Sequence, residues 1–529
     1  MFYNYGYDNS EYNECDARGA CSIAPKVSSL QEVLIIILRQ IAFYSLKLDE
    51  FGTDITFQTE NTVKGIASII STTDYTDEQL LNIVGKYYAL LLKTKNEYIK
   101  QCKEKKKRHI ELKTDLKITP QTNLTGIISQ GERLFLEKYK KNSPQTKYIT
   151  EILLFVIKTI CINLIELANY DEKYQDASKS VLKGLNILNR SPDRVILVKN
   201  KIKELVDVNA SLIERISKAQ LKYFGPIHKK YVSRSTSSGK AILVSGNNMS
   251  NLFSLLEQLK DKQIDVYTHD DLLIAHTFEN FARYNNLKGH YGDCSGNCIL
   301  DFATFPGAIL LTQNSYQNVE YLYRGRLFTT EDIQPKGVIK LEEDDYSKLI
   351  ESAENAKGFA KGRKLPDIAA GYNESELELF ADNLSKKFEE GKIEKIVIIG
   401  HTYKTYKQDA YFNKFFTMVP DNWQLISFSY DSKKDNCYCI NLDNNLVMIY
   451  TVLKRIFKDI PITSENIVFF ITKCDVSSIS NMIYLKTLGA KNICMSNCRP
   501  RINPSISAVL RSTYGIKELT TPQDDIKSI

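Results

Sequence analysis

Apolar positions recur at helical spacing through residues 27–220, with no convincing alternating stretch, and this predicts a helical domain. "SSLQEVLIIILRQIAFYSLKL" follows Pro25 and carries serines suited to capping. "DYTDEQLLNIVGKYYALLLKTKNEYIKQCKEKKKR", "TGIISQGERLFLEKYKK" and "TKYITEILLFVIKTICINLIELANY" continue the series. "ASKSVLKGLNILNR" and "PDRVILVKNKIKELVDVNASLIERI" complete a bundle of helices.

The pattern changes at "SRSTSSGK" (233–240), a polar hinge. Short apolar runs, "AILVSG", "QIDVYTH" and "GAILLTQNS", then read as buried strands, with "NMSNLFSLLEQLKD" and "DLLIAHTFENFARY" as helices between them. Past a lysine- and glycine-containing stretch near 357–372 the alternation resumes. "KIVIIGH", "WQLISFSY", "NIVFFITKC" and "AKNICMS" are strands, separated by "DAYFNKFFTMV", "NNLVMIYTVLKRIF" and "SSISNMIYLKTLG". Strand–helix alternation implies parallel sheets covered by helices. The predicted architecture is therefore a helical bundle with an N-terminal cysteine segment (1–236) and two Rossmann-like parallel α/β domains (237–372 and 373–529).

Two apolar helices, "LQEVLIIILRQIAFYSL" and "EILLFVIKTICINLIELA", are interrupted by charged or amide side chains and read as buried bundle helices rather than membrane spans. The N-terminal stretch is acidic and aromatic, so no secretory signal is expected. The 70 Lys and Arg against 63 Asp and Glu leave a formal charge of +7, too mild to argue for nucleic acid. The basic run "KQCKEKKKRH" (100–109) reads as a solvated helix face. Eleven cysteines without a leader point to a reducing cytoplasm, where thiols stay free or hold metal.

Several phrases, in order, resemble the hybrid cluster protein (prismane) family, iron–sulfur proteins related to carbon monoxide dehydrogenase. They are "CDARGACSIAPKVSSLQ", "ILVSGNNM" (242–249), "DVYTHDDLLIAH" (265–276), "GAILLTQNS" (307–315), "GRLFTT" (325–330) and "LKTLGAKNI" (485–493). The resemblance implies the family fold and, by analogy, reduction of hydroxylamine or nitric oxide with an electron-transfer partner. It also implies two cluster sites, and this chain departs from both. Of four N-terminal cysteines, Cys15 and Cys21 remain, while the other pair falls on Tyr3 and Gly6. At the hybrid cluster the histidine falls on Asn247 and the two glutamates on Asp271 and Asp475. The four cysteines fall on Ser315, His401, near Tyr430 and near Leu442, and a lysine falls on Ser477. Thiolates hold the soft iron of such clusters, so an intact hybrid cluster is not expected.

The last domain suggests a relocated site. His401, Cys437, Cys439, Cys474, Cys494 and Cys498 are all expected at or past strand carboxyl ends, Cys437 and Cys439 in a loop, where they could converge on zinc or an iron–sulfur cluster. "CSGNC" adds Cys294 and Cys298 in the middle domain. Against this stands the use of cysteine as a small buried hydrophobe, the reading given to Cys102 and Cys161 on their helices. His269 and His276 are expected to orient backbone and carboxylates near Asp271, Asp270 and Asp271 to cap a helix, and Gly246 to make a tight turn. No Ser/His/Asp phrase, Walker loop or complete dinucleotide fingerprint is present. Two function classes stay open: a cytoplasmic redox metalloprotein with altered cluster content, and a catalytically silent relative that binds a partner or small ligand. In a homo-oligomer, Cys15 and Cys21 of two chains would supply four thiolates at a twofold axis.

Overall fold

The computed structural model describes residues 25–69, 77–114, 116–139, 143–170, 172, 174–189, 195–292, 298–312, 323–331, 337–342, 344–400, 402, 406–430, 432, 434–442, 445–473, 476–496 and 504–529. The chain gathers into two units, one bounded by Met1–Leu212, Asp475–Tyr484 and Arg499–Tyr514, the other by Ile213–Cys474, Leu485–Cys498 and Gly515–Ile529. Two late stretches, 475–484 and 499–514, thus belong with the helices rather than with the sheet that surrounds them in sequence.

The helical unit is built around α1 (Pro25–Asp49), whose Val33, Ile37, Leu38, Ile41 and Ala42 have no solvent exposure. The helix starts at Pro25 itself, so Ser29 lies inside its first turns, buried, instead of capping it. Around α1 pack α2 (Thr56–Ser68), which the apolar pattern did not single out, α3 (Asp77–Glu104), α4 (Leu124–Tyr139) and α6 (Gln175–Ile187). Gly131 of α4 sits so close to α1 that a Cβ would stand 2.2 Å from the Ser29 carbonyl oxygen, and any larger residue would force the helices apart. The second apolar helix, α5 (Pro144–Ala168), begins with Pro144 after Ser143, whose hydroxyl accepts the Thr146 N–H at 3.2 Å. Ser29–Asp49 and Tyr148–Ala168 are long and apolar enough to cross a membrane by length and composition, yet most of each is buried in protein. A last long helix, α7, covers Val195–Phe224.

In the other unit, two six-stranded sheets repeat one plan. The first contains β2 (Lys240–Ser245), β3 (Ile264–His269), β4 (Leu287–His290), β5 (Ala308–Leu311), β6 (Leu327–Thr329) and β7 (Ile339–Lys340), in spatial order β4-β3-β2-β5-β6-β7. The second contains β9 (Lys395–Gly400), β10 (Trp423–Ser427), β11 (Cys437–Cys439), β12 (Ile467–Ile471), β13 (Asn492–Met495) and β14 (Lys517–Glu518), in order β11-β10-β9-β12-β13-β14. Every pairing in both sheets is parallel. Numbered within each sheet, both orders read 3-2-1-4-5-6, the doubly wound arrangement of dinucleotide-binding folds. The central strands are apolar on both faces, as "AILV" and "IVFFI" require of parallel strands buried between helices.

The two linkers expected near 233–240 and 357–372 pair with each other. β1 (Lys230–Val232) runs antiparallel to β8 (Ile368–Ala370), and bridges follow at Thr236–Arg363 and Gly239–Phe359. This ribbon lies beside β4: the His290 N–H donates to the Ser233 carbonyl at 2.8 Å, and a Cβ on Gly289 would meet the same oxygen at 2.1 Å.

Candidate functional site

Sheets of this order open a crevice where neighbouring strands send their connections to opposite faces, here between β2 and β5 and between β9 and β12. At the first crevice β2 ends on Ser245. Gly246 then turns the chain at φ 120°, a conformation open to glycine, and Asn248 caps α8 (Met249–Gln258) by accepting the Asn251 N–H at 3.0 Å. Thr312, just past β5, closes the floor. Its N–H and its hydroxyl donate to the Ser245 carbonyl at 2.8 and 3.0 Å, and its Oγ1 accepts the Asn248 N–H at 3.2 Å.

Two polar networks line this rim. Ser245 and His269 are register partners at the ends of β2 and β3, which brings Ser245 Oγ to 2.8 Å from His269 Nδ1. His269 Nε2 lies 3.2 Å from Asp301 Oδ2, on α9 (Cys298–Thr304). The second network centres on Thr268, whose Oγ1 lies 2.8 Å from His276 Nε2 and 3.0 Å from His290 Nδ1. A hydroxyl has one proton, so Thr268 donates to at most one of the two imidazoles. Burial, with Lys230 adding to it, pushes the His276 imidazole down to about 3, and it is neutral at physiological pH. Two of the six histidines of the chain thus meet on Thr268 near the end of β3.

Chemically, Ser245–His269–Asp301 is a hydroxyl–imidazole–carboxylate chain running from a partly exposed carboxylate to a fully buried hydroxyl. It can hold or pass a proton. Ser245 has no solvent exposure, so it ends a hydrogen-bond chain rather than presenting an attacking oxygen. Sequence inspection missed this grouping because strand register pairs Ser245 with His269 and the packing of α9 adds Asp301, neither of which follows from local spacing. The available signal was that two adjacent apolar strands both end on polar residues. The expected helix "DLLIAHTFENFARY" is instead two 3₁₀ turns, Asp270–Thr277 and Glu279–Arg283, and His269 occupies the N-cap position without a side-chain cap bond. Asp270 takes φ 60°, a left-handed conformation at which an α-helical ladder cannot start. Asp270 and Asp271 are both buried in that first turn and do not cap a helix.

The second crevice differs. Thr402 and Thr472 are buried there, and Gln408 Nε2 donates to the Thr472 carbonyl at 2.8 Å. Tyr430 packs its ring on Phe412, centroids 4.7 Å apart, and Leu442 is core. The described thiols of this domain do not all converge. Cys437 and Cys439 form an edge strand, not a loop, with their sulfurs 3.5 Å apart. Cys494 lies within β13, packed with Phe470 and Leu519, where burial pushes its thiol up to about 12. One row of the sheet reads Cys439, Ser427, Ile399, Phe470, Cys494. Four strand spacings of roughly 4.8 Å put Cys439 and Cys494 about 19 Å apart, so no single metal takes both. His401, Cys474, Cys498, Cys15, Cys21, Cys294 and Asp475 lie outside the described residues. Among the described residues no group of three or more His, Cys, Asp and Glu side chains could hold a metal ion.

The sequence profile of the Prismane/CO dehydrogenase family matches residues 9–427. The chain belongs to that family. Relatives named hydroxylamine reductase include those of Thermodesulfovibrio yellowstonii, 23% identical over 98% of each chain, and Solidesulfovibrio magneticus, 23% identical over 97% of each. That of Burkholderia lata is 26% identical over 77% of this chain and 76% of its own. A solved structure of the alpha subunits of acetyl-CoA synthase/carbon monoxide dehydrogenase aligns at 11% identity and TM-score 0.49 over 98% of this chain and 84% of that one, too distant to transfer a site.

The Prismane family's hybrid cluster, as the sequence resemblance implies it, would require an imidazole, carboxylates and thiolates at positions that here carry other chemistry. Asn247 offers a carboxamide whose buried Oδ1 has no hydrogen-bond partner. Near the third and fourth thiolate positions stand Tyr430, a phenol packed on the Phe412 ring, and Leu442, a core side chain with no donor. Asp271 retains a carboxylate, buried at the start of the first 3₁₀ turn. Ser315, His401 and Asp475 fall outside the described residues. The described donors do not fit an iron–sulfur–oxygen cluster, which needs soft thiolates for its iron.

Proposed function

We propose that this Prismane-family chain is a cytoplasmic redox metalloprotein that has diverged from the family's hybrid cluster and carries an altered iron–sulfur content. The observation behind this reading is the donor set just described: a carboxamide, a core leucine and a ring-packed phenol stand at or near the positions where the resemblance places an imidazole and two thiolates. The relatives' name makes hydroxylamine the first substrate to try, with electrons from a protein donor. A second reading, a catalytically silent relative that binds a small polar ligand, is favoured by the first rim. There the His269 nitrogens lie within hydrogen-bond distance of Ser245 and Asp301 and the His276 Nε2 of Thr268, a hydrogen-bonded network with no converging metal-ligand group among the described residues.

One preparation tests both. The protein is purified without oxygen, and iron, zinc, acid-labile sulfide and the visible spectrum are measured alongside hydroxylamine consumption with a reduced dye. Iron and sulfide in a spectrum unlike that of the T. yellowstonii relative, prepared in parallel, support the altered cluster. A colourless, metal-free and fully folded protein supports the silent relative. A spectrum and hydroxylamine turnover matching the relative's would overturn both.

A further inference from the structure

β11 is an edge strand of three residues, paired on one side with β10 through Leu425–Cys437, Ile426–Tyr438 and Ser427–Cys439. Alternate residues of a strand share a face, so the two cysteines emerge together, their sulfurs 3.5 Å apart. Tyr438 leaves the opposite face and stacks on Phe380 of α10 (Glu374–Glu389), centroids 3.8 Å apart and planes 13° from parallel. That stack anchors the strand's orientation and holds both thiols on the far side. Neither cysteine is in a disulfide, and both are half-buried, Cys437 resting against the rim of the second sheet's core. Cys494 is four strands away, and Cys102 and Cys161 are buried in the helical unit, so among the described thiols each of this pair has the other as its sulfur neighbour.

We propose that Cys437 and Cys439 form a dithiol–disulfide couple, a site of thiol–disulfide exchange with low-molecular-weight disulfides. One thiolate attacks a small disulfide RSSR, forming a mixed disulfide and releasing RS⁻. The second thiolate displaces the remaining RS⁻ and closes the Cys437–Cys439 bond. The protein dithiol loses two electrons and two protons, and RSSR becomes two RSH. Geometry makes the couple reversible. Residues i and i+2 of an extended strand have Cα atoms about 6.6 Å apart, near the upper end of the disulfide range, so closure must bend the strand. An edge strand has a ladder on one side only and bends at lower cost than a central one. The resulting bond is strained, and strained disulfides are the readily reduced ones.

The test is equilibration of the full-length protein in glutathione/glutathione disulfide buffers, followed by acid quench, alkylation and peptide mapping. Trypsin leaves both cysteines on one fragment, Asp435–Lys454. The expected result is a fragment lighter by about 2 Da, two hydrogens, that takes up no alkylating agent and regains two alkylation sites when reduced glutathione is in excess. Cys437→Ser and Cys439→Ser each stop at the mixed disulfide, carrying one glutathionyl group on the same fragment. Full alkylation of both thiols in wild type at the most oxidising ratio would overturn the proposal. So would a fragment cross-linked to another cysteine peptide. The wild-type map does not depend on the variants folding.

Discussion

The two sheets share strand order, direction and the position of their crevices, yet they spend those crevices differently. At the first, strand ends carry Ser245, Thr268, His269 and His290, and the register of β2, β3 and β4 ties them into hydrogen-bonded chains. At the second, the connection after β10 returns Tyr430 onto Phe412, and the described thiols are dispersed, two to an edge strand and Cys494 to the core. The same backbone plan therefore supports a polar, proton-handling rim in one case and an aromatic, thiol-edged one in the other. Topology sets where a site can form, and the side chains at the strand ends set its chemistry.

The comparison is broken hardest in the cores. Phe412→Ala, at a fully buried position beneath the second sheet, is expected to cost about 3–5 kcal/mol in urea unfolding. Phe302→Ala in the first core should cost a similar amount and also release the His269 ring, whose centroid lies 5.3 Å away. A middle tier contrasts the two rims. His269→Ala removes the contacts to Ser245 and Asp301 and should cost about 1–3 kcal/mol, as should Cys494→Ser, which buries a hydroxyl in an apolar core. If Cys494→Ser bound metal less well without losing stability, the core assignment of that thiol would be wrong.

A smaller effect is pH-dependent and belongs to the first sheet. Folded His276 protonates near 3, whereas an unfolded histidine does so near the ordinary imidazole value of about 6.5. Between these values the unfolded chain binds the extra proton, so the stabilising contribution is complete above about 6.5 and falls by roughly 1.4 kcal/mol per pH unit as the pH drops toward 3. His276→Gln should flatten that slope in denaturation curves taken at stepped pH, and an unchanged slope would assign it to other groups. The smallest effect is Cys439→Ser, which on a half-buried edge should move stability by no more than about 0.5 kcal/mol, measured under reducing conditions.

Much of the architecture was legible in the residues. Runs such as "AILVS" and "KIVIIG" are too short and too apolar for anything but central parallel strands, and both appear where expected. The short edge strands β4, β7, β11 and β14 were not legible, because two to four residues of mixed polarity leave no periodic signature. The 3₁₀ turns at 270–283 were read as a helix because "DLLIAHTFENF" has helical composition, and the left-handed Asp270 that prevents it is a backbone property. Cys439 ends β11 and Cys494 sits one residue from the end of β13, close to where the apolar runs place them, but strand order sets those two far apart, and no run of residues records strand order. His401, Cys474 and Cys498 lie outside the described residues.

By itself, the sequence determined the succession of a helical segment and two strand–helix alternations, the family phrases, and the absence of the implied imidazole at Asn247 and of thiolates at Ser315 and His401. All of these depend on which residue stands at which position along the chain. The tertiary structure alone decided that Ser245, His269 and Asp301 meet, that Thr268 joins His276 to His290, and that Cys439 and Cys494 do not meet. Those outcomes depend on strand order and register, and for Asp301 on the packing of α9. A parallel sheet joins residues tens of positions apart at under 5 Å per strand and separates others by the same rule, and no local pattern of residues records which.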